Sequence, residues 1–216
     1  GYVDDKNAKI EAAIGLAEEK GIPVSSMYYE QLIANTNDKK GRLVTKRNDL
    51  QKNLDKAVEA GEVTKFDPKW YDMVSEISGV DEEIIQCDTD LASFQNSIDE
   101  LYWDSFDTAV ERIDNVSEEA QELIDILGEK DLLDEAGNWT DEGVTSLGLY
   151  AQQMENAKFK VQMYQDAINK LNDDYKNNAI SEAEYVEQLD KLKDGQYDAI
   201  KSYNDSKKAV VDLQKA

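Results

Sequence analysis

Apolar residues recur at every third or fourth position from Trp70 to Leu127, and only Gly79 interrupts this pattern. As far as Leu101 they form two rows with seven-residue spacing. The rows are Trp70, Ile77, Ile84, Leu91 and Ile98, and Met73, Val80, Cys87, Phe94 and Leu101. A hydrophobic seam repeated in this way over successive heptads is typical of a coiled coil. The pattern therefore predicts one long helix that buries a narrow stripe.

The hydrophobic seam slips by one residue at Tyr102 and then resumes. Its continuation is predicted as Tyr102, Ala109, Val116 and Leu123 alternating with Phe106, Ile113, Ala120 and Leu127. At about 1.5 Å per residue this helix would extend on the order of 85 Å. A compact domain of this chain length has a radius of gyration of only about 17 Å. We therefore expect an all-α protein built of elongated antiparallel helical hairpins or a coiled coil.

Glycine, proline and short polar segments divide the rest of the chain into further helices. Apolar spacing predicts a short helix over 3–20 and longer ones over 25–60, 141–177 and 182–214. The helix over 25–60 has a weak seam, because Thr36, Lys40 and Arg47 occupy its inward positions. Short connections favour antiparallel neighbours. We predict a first long hairpin over 1–127, which includes the short helix, then a link over 128–140 and a second hairpin over 141–216.

Three helix starts carry residues suited to capping. Asp67, Thr140 and Ser181 can each accept hydrogen bonds from the first free backbone N–H groups of a helix. Phe66 stands where it could pack on Tyr71 as a hydrophobic staple. Ser181 is followed three residues later by glutamate, the pattern of a capping box. These features predict where three of the helices begin.

The chain is strongly acidic. Its 216 residues include 47 Asp and Glu against 24 Lys and Arg, a formal net charge of −23. Such a surface repels phosphate backbones and anionic lipids, so we expect no nucleic-acid partner and no membrane binding by this segment. Gly1 in place of an initiator methionine suggests a piece of a longer protein.

The residue types needed for most catalytic centres are missing or isolated. The sequence has no histidine, which removes histidine bases, triads and metal ligands. The single Cys87 lies in the apolar seam, where a buried, unreactive thiol is expected. No glycine-rich phosphate loop is present. Paired carboxylates are plentiful, but a glycosidase-like pair requires a cleft that a helical hairpin does not provide. We therefore expect no enzyme activity and no catalytic, cofactor-binding or metal-binding residues.

The link over 128–140 is the one segment that suggests a calcium loop. It contains Asp131 and Asp134, with further carboxylate and amide side chains around Gly137. An EF-hand loop requires ligands at alternate positions and glycine at the sixth, and counting from Asp131 places Leu133 third and Ala136 sixth. We expect instead a turn at Gly137 with apolar side chains beneath it.

Several segments, in their order along the chain, resemble helical parts of phage tail tape-measure proteins. The resemblance covers about Leu54 to Leu213 and is weaker over residues 1–50. The segments are Trp70-Tyr71-Asp72-Met73-Val74-Ser75-Glu76-Ile77, Ile84-Ile85, Asn96-Ser97-Ile98-Asp99-Glu100-Leu101-Tyr102-Trp103-Asp104-Ser105-Phe106-Asp107, Leu123-Ile124-Asp125-Ile126-Leu127, Asp134-Glu135-Ala136-Gly137-Asn138-Trp139-Thr140-Asp141-Glu142-Gly143 and Leu147-Gly148-Leu149-Tyr150-Ala151-Gln152. The family belongs to phages with long non-contractile tails that infect Gram-positive bacteria or persist in them as prophages.

The resemblance implies a minor structural protein of the virion. A tape-measure protein is a long helical chain inside the tail tube, and its length sets how far the tube polymerises. The implied partners are tail tube and tail chaperone proteins, with self-association through helices, and the implied site is the phage tail after synthesis in the host cytoplasm. The family carries no catalytic residues in this region. The alternative is an acidic helical binding module of a bacterial surface or secretion system.

Overall fold

The computed structural model describes residues 2–128 and 132–215. Over these residues it contains five helices and no strand, and 85% of the described residues are helical. The helices are α1 (Tyr2–Glu19), α2 (Ser26–Glu59), α3 (Pro68–Leu127), α4 (Asp141–Lys176) and α5 (Glu182–Leu213). The predicted all-α class is confirmed, and each helix begins and ends within two residues of its predicted limits.

The chain forms two units, residues 1–103 and 104–216, and the division falls within α3. The first unit contains α1, α2 and the first part of α3. The second contains the rest of α3 together with α4 and α5. The sequence analysis ended the first hairpin at residue 127, before the link over 128–140. In the two units, the C-terminal part of α3 is grouped with the helices that follow it.

In the first unit, α2 runs antiparallel to α3. Lys40 Nζ lies 2.5 Å from the Asp88 carboxylate, while Arg47 Nε, further along α2, lies 3.3 Å from Asp81, earlier in α3. Apolar packing beneath these pairs centres on Leu43, Val80 and Cys87, with Leu50 and Ile84 against them. The cations that weakened the predicted seam thus lie at its edge and pair with carboxylates of α3.

Helix α1 lies antiparallel to α2 and covers its most polar turn. Asn7 donates to the hydroxyl of Thr36 over 3.2 Å and accepts from Asn35 over 3.0 Å. Lys39 Nζ lies 2.6 Å from the carboxylate of Asp4. Thr36 is only 2% exposed, and its bond to Asn7 satisfies a hydroxyl that would otherwise be costly to bury. The polar position in α2 is therefore explained by a partner on α1.

In the second unit, α4 is antiparallel to both α3 and α5. Toward α3, Phe106 makes an edge-to-face ring contact with Tyr164, with centroids 5.3 Å apart. Toward α5, the hydroxyl of Tyr185 donates to Asn172 over 2.7 Å, and the Tyr175 ring stacks on Tyr185 at 4.4 Å. The predicted second hairpin, α4 and α5, is thus packed together with a third helical segment.

Two of the predicted caps are confirmed. Thr140 accepts from the N–H of Gly143 over 3.1 Å. The Ser181 hydroxyl accepts from the Glu184 N–H over 3.3 Å. The Glu184 carboxylate accepts from the Ser181 N–H over 2.9 Å, which completes the capping box. These hydrogen bonds fix the first turns of α4 and α5.

Two local predictions near the start of α3 are wrong. The Asp67 carboxylate turns back and accepts from the N–H and hydroxyl of Thr64 instead of capping α3. Phe66 is 91% exposed and cannot form a staple with Tyr71, whereas Val63 is 1% exposed and fills the bend. The physical reason is the Thr64–Asp67 turn, which orders this bend through its own hydrogen bonds.

The predicted continuation of the seam after Tyr102 is correct in only one of its two rows. Ala120 is buried, but Val116 and Leu123 are 41% and 50% exposed. Ile124 is buried in their place. Ala120 and Ile124 are four residues apart, the spacing of one helical face, so the buried side of α3 here follows the 3.6-residue helical period and not the row that contains Val116 and Leu123.

Candidate functional site

The described part of the link is a hydrogen-bonded turn. Leu133 and Trp139 form an isolated antiparallel bridge, and Gly137 adopts a positive φ of 81° between them. Asp134 accepts from the N–H groups of Ala136 and Asn138 over 2.9 and 2.8 Å. These hydrogen bonds, led by that of Asn138, lower the pKa of the Asp134 carboxyl. That carboxylate is therefore engaged in stabilising the turn.

Asp131, from which the calcium loop was counted, lies outside the described residues. Within the described ranges, no group of three or more acidic or cysteine side chains is placed to hold a metal ion. None of the helices described is both long and apolar enough to cross a bilayer.

Cys87 lies where the apolar pattern predicted, in the packed interface of α2 and α3. Its side chain is 2% exposed, and burial raises the pKa of the thiol. A thiol with a raised pKa carries little of the thiolate that reacts with electrophiles and oxidants. We therefore interpret Cys87 as a residue that packs α2 against α3.

The feature of the second unit most like a binding site is a groove among α3, α4 and α5, with a volume of about 340 Å³. Its floor includes Ala157 of α4 and Ala199 and Ser206 of α5, all less than 9% exposed. Small side chains at facing positions leave space that leucine or isoleucine would fill. The groove therefore follows from the choice of small residues at inward positions.

The side of the groove formed by α3 and α4 is held by polar contacts. Lys160 Nζ lies 2.5 Å from the Asp114 carboxylate and 6.0 Å from the centre of the Tyr164 ring. Gln153 donates to the backbone carbonyl of Ser117 and to the Gln121 side chain, both over 3.2 Å. Lys160 shows how the groove accommodates an ammonium group: a carboxylate on one side and an aromatic ring on the other.

The α5 side of the groove carries excess negative charge. Asp198 and Asp205 line it seven residues apart, and neither forms an ion pair with any residue in the described ranges. The pKa of Tyr164 is raised chiefly by burial. The negative charges of Asp114, Asp107 and Asp198 raise it further. A potential of this sign favours cations at the groove.

A second cavity of about 350 Å³ lies nearer the link and is lined largely by apolar groups. Ile124, Leu132, Tyr150 and Leu213 contribute to it. The hydroxyl of Ser146, also in its lining, is buried without a hydrogen-bond partner in the described structure.

Sequence reasoning identified the helices that form the polar groove but not the groove itself. One signal was available: the α5 heptad row Leu192, Ala199 and Ser206 becomes smaller and more polar toward the C-terminus. Such a row places little side-chain volume in the core. Asp198 and Asp205 immediately precede Ala199 and Ser206, the last two members of the row.

Comparison with known proteins returned no match: no protein-family model, no curated protein and no solved structure resembles this chain significantly.

Proposed function

We propose that this chain is a non-enzymatic structural segment of a phage tail tape-measure protein, which occupies the tail tube and helps to set tail length. The observation that carries the proposal is the ordered series of segments that resemble this family over about Leu54 to Leu213. The proposed partners are tail tube and tail chaperone proteins, with self-association through helices, and the proposed location is the virion. Neither nucleic acid nor a membrane is a partner of this segment.

The helical architecture supports a role in measuring length. A ruler requires a fixed length for each residue, which the helix supplies at about 1.5 Å. Helix α3 continues for 60 residues without a break. The net charge of −23 repels the genome that would share the tail with the chain.

The antiparallel packing in each unit has a consequence for this role. A helix that folds back on its neighbour spans only part of its contour length, so the full reach requires every connection between antiparallel helices to open, among them the bends at residues 60–67 and 177–181. The bends are short and lie between long helices. The proposed assembled form is therefore one in which the tube replaces the intrachain helix contacts.

The test is an in-frame deletion of whole heptads from α3 in the parent phage. Removing whole heptads preserves the seam, so the remaining helix keeps its register. Assembled tails that are shorter would support the proposal, and tails of unchanged length would refute it. Loss of assembly would instead point to a docking surface, as expected for the alternative of an acidic helical binding module.

A second deletion locates the residues that contribute to tail length. Moving the deletion to residues 1–50, where the resemblance is weaker, tests whether measuring is confined to the matching stretch. Equal shortening per residue in both regions would assign the ruler role to the whole chain. Shortening only from the α3 deletion would confine it to the segment that resembles the family.

A further inference from the structure

We propose that the cavity beside the link binds a neutral, largely apolar small molecule of about ten carbon atoms that carries one hydroxyl group. The ligand hydroxyl would pair with Ser146 of α4, and the apolar part would lie against Leu132 of the link and Leu213 of α5. The cavity belongs to the second unit, and binding there is a further function beyond the proposed role in tail length.

The inner end of the cavity carries a hydroxyl group that the chain leaves unpaired. Ser146 is only 2% exposed, and its Oγ forms no hydrogen bond with any residue in the described ranges. It lines the cavity with Ile124, which is also buried, whereas Asp212 of the same lining is exposed and lies at the opening to solvent. Because buried hydroxyl groups are normally paired, this one indicates a partner from outside the chain.

Water is a poor candidate for that partner. An ordered buried water requires about two to four polar partners, and apolar cavities stay dry. The backbone carbonyl of Leu132 already accepts from the N–H and the hydroxyl of Thr140, over 3.0 and 3.1 Å. The Asp212 carboxylate lies at the exposed end, away from Ser146. An apolar ligand with one polar group would pair with Ser146 and also remove the apolar lining from water.

The volume and charge of the cavity determine the class of ligand. Its volume of about 350 Å³ is more than twice the roughly 150 Å³ of an engineered apolar cavity that binds benzene. A molecule of the size of two fused aromatic rings therefore fits. Asp212 contributes a carboxylate, and none of the described residues that line the cavity is a lysine or an arginine. A neutral hydroxyl compound is therefore favoured over a carboxylate such as a fatty acid.

The test is a titration of the full chain with β-naphthol and with naphthalene, followed by methyl NMR. Both probes have two fused rings, and only β-naphthol carries a hydroxyl. We expect saturable shifts of the methyl resonances of Ile124, Leu132 and Leu213, with one site per chain. β-Naphthol should bind about fivefold more tightly than naphthalene, because only it can pair with Ser146. Equal affinity of the two probes, or no saturable shift at these methyl groups, would overturn the proposal.

The variant Ser146→Ala tests the hydrogen bond directly. In this variant β-naphthol should bind about as weakly as naphthalene, while naphthalene should keep its affinity within about twofold. The matched control is Ser206→Ala, which removes the hydroxyl of another buried serine of the second unit, one that lines the groove among α3, α4 and α5 instead. Its affinity for β-naphthol should stay within about twofold of the unmodified chain. Equal weakening in the two variants would contradict the site.

The stability of Ser146→Ala without ligand gives a second readout. Removing an unpaired buried hydroxyl loses no hydrogen bond, so the urea midpoint of unfolding should be unchanged or higher. A lower midpoint would show that Ser146 has a partner within the folded chain, and it would overturn the proposal.

Two further measurements test the volume and the charge of the cavity. Ala209→Phe adds a ring at a half-buried position of the lining and should abolish binding of β-naphthol, with unchanged helicity in far-UV circular dichroism. β-Naphthoate, which has the same rings and a negative charge, should bind about fivefold more weakly than β-naphthol or not at all. Unchanged binding by the phenylalanine variant, or equal affinity for the two probes, would refute the site. An absence of binding together with a dimer in sedimentation velocity would assign the cavity to a second copy of the chain and would also overturn the proposal.

Discussion

Two glycines of α4 provide a direct test of the packing between this helix and the link. A Cβ added to Gly143 would collide with the backbone carbonyl oxygen of Leu132 and lie 2.7 Å from a ring carbon of Trp139. A Cβ added to Gly148 would meet nothing within 4 Å. Gly143→Ala and Gly148→Ala are therefore the same chemical change on one helix in two different environments.

The expected effects have opposite signs. Alanine in an open helix interior stabilises by about 0.5–1 kcal/mol relative to glycine, so Gly148→Ala should raise the free energy of unfolding by that amount. At Gly143 the Leu132 carbonyl cannot yield easily, because it accepts from both the N–H and the hydroxyl of Thr140, over 3.0 and 3.1 Å. Overpacking of this kind costs about 1–3 kcal/mol.

The measurement is urea unfolding followed by circular dichroism. Fluorescence of Trp139, in a background where Trp70 and Trp103 are replaced by phenylalanine, would report on the link. Gly143→Ala should lower the unfolding midpoint and change the Trp139 emission, whereas Gly148→Ala should raise the midpoint and leave the emission unchanged. Stabilisation by both variants would refute the described packing of the link on α4.

Three other predictions follow from individual contacts. Ser181→Ala should destabilise the second unit by about 1 kcal/mol in urea melts, because the capping box loses its acceptor; no measurable change would mean that this cap does not form. Leu171→Ala should cost about 2–5 kcal/mol, because Leu171 is fully buried, while Val186→Ala, at a position 49% exposed, should cost much less; equal costs would contradict the core. The pKa of the Asp4 carboxyl is lowered from its ordinary value of 3.8 to about 2, and the hydrogen bond from Lys39 is the largest cause, so the stabilisation from this carboxylate is present above pH 3.8 and is lost as the pH falls toward 2. A carbon-13 NMR titration should find the low pKa, and Lys39→Met should return it toward 3.8; an unchanged pKa in the variant would exclude the ion pair as its cause.

The helices and most of their limits could be predicted from the sequence because their signals are local. Ser25, Thr140 and Ser181 accept from the first turns of the helices that follow them, and each lies next to its helix in the chain. The seven-residue rows of α3 placed Ile77, Val80 and Cys87 in the interior, where the structure buries them. Periodicity and capping depend on residues a few positions apart in the chain, so both can be predicted from a single sequence.

The features that the sequence did not predict depend on partners distant in the chain. The role of Thr36 is determined by Asn7 on another helix. The exposure of Val116 and Leu123, and the burial of Ile124, depend on which side of α3 the other helices of the second unit cover. The groove requires Ala157 and Ala199 to come together across α4 and α5. A pattern along one helix indicates which side is apolar, but it does not determine how many neighbours cover that side.

The most direct test of the proposed ruler is the dependence of tail length on the number of residues in this segment. Tails of the parent phage would be measured by electron microscopy after deletion or duplication of one, two and four heptads of α3. The account predicts a linear relation with a slope of about 1.5 Å per residue, so that losing four heptads shortens tails by roughly 42 Å. A slope of zero, with tails of constant length across the series, would contradict it.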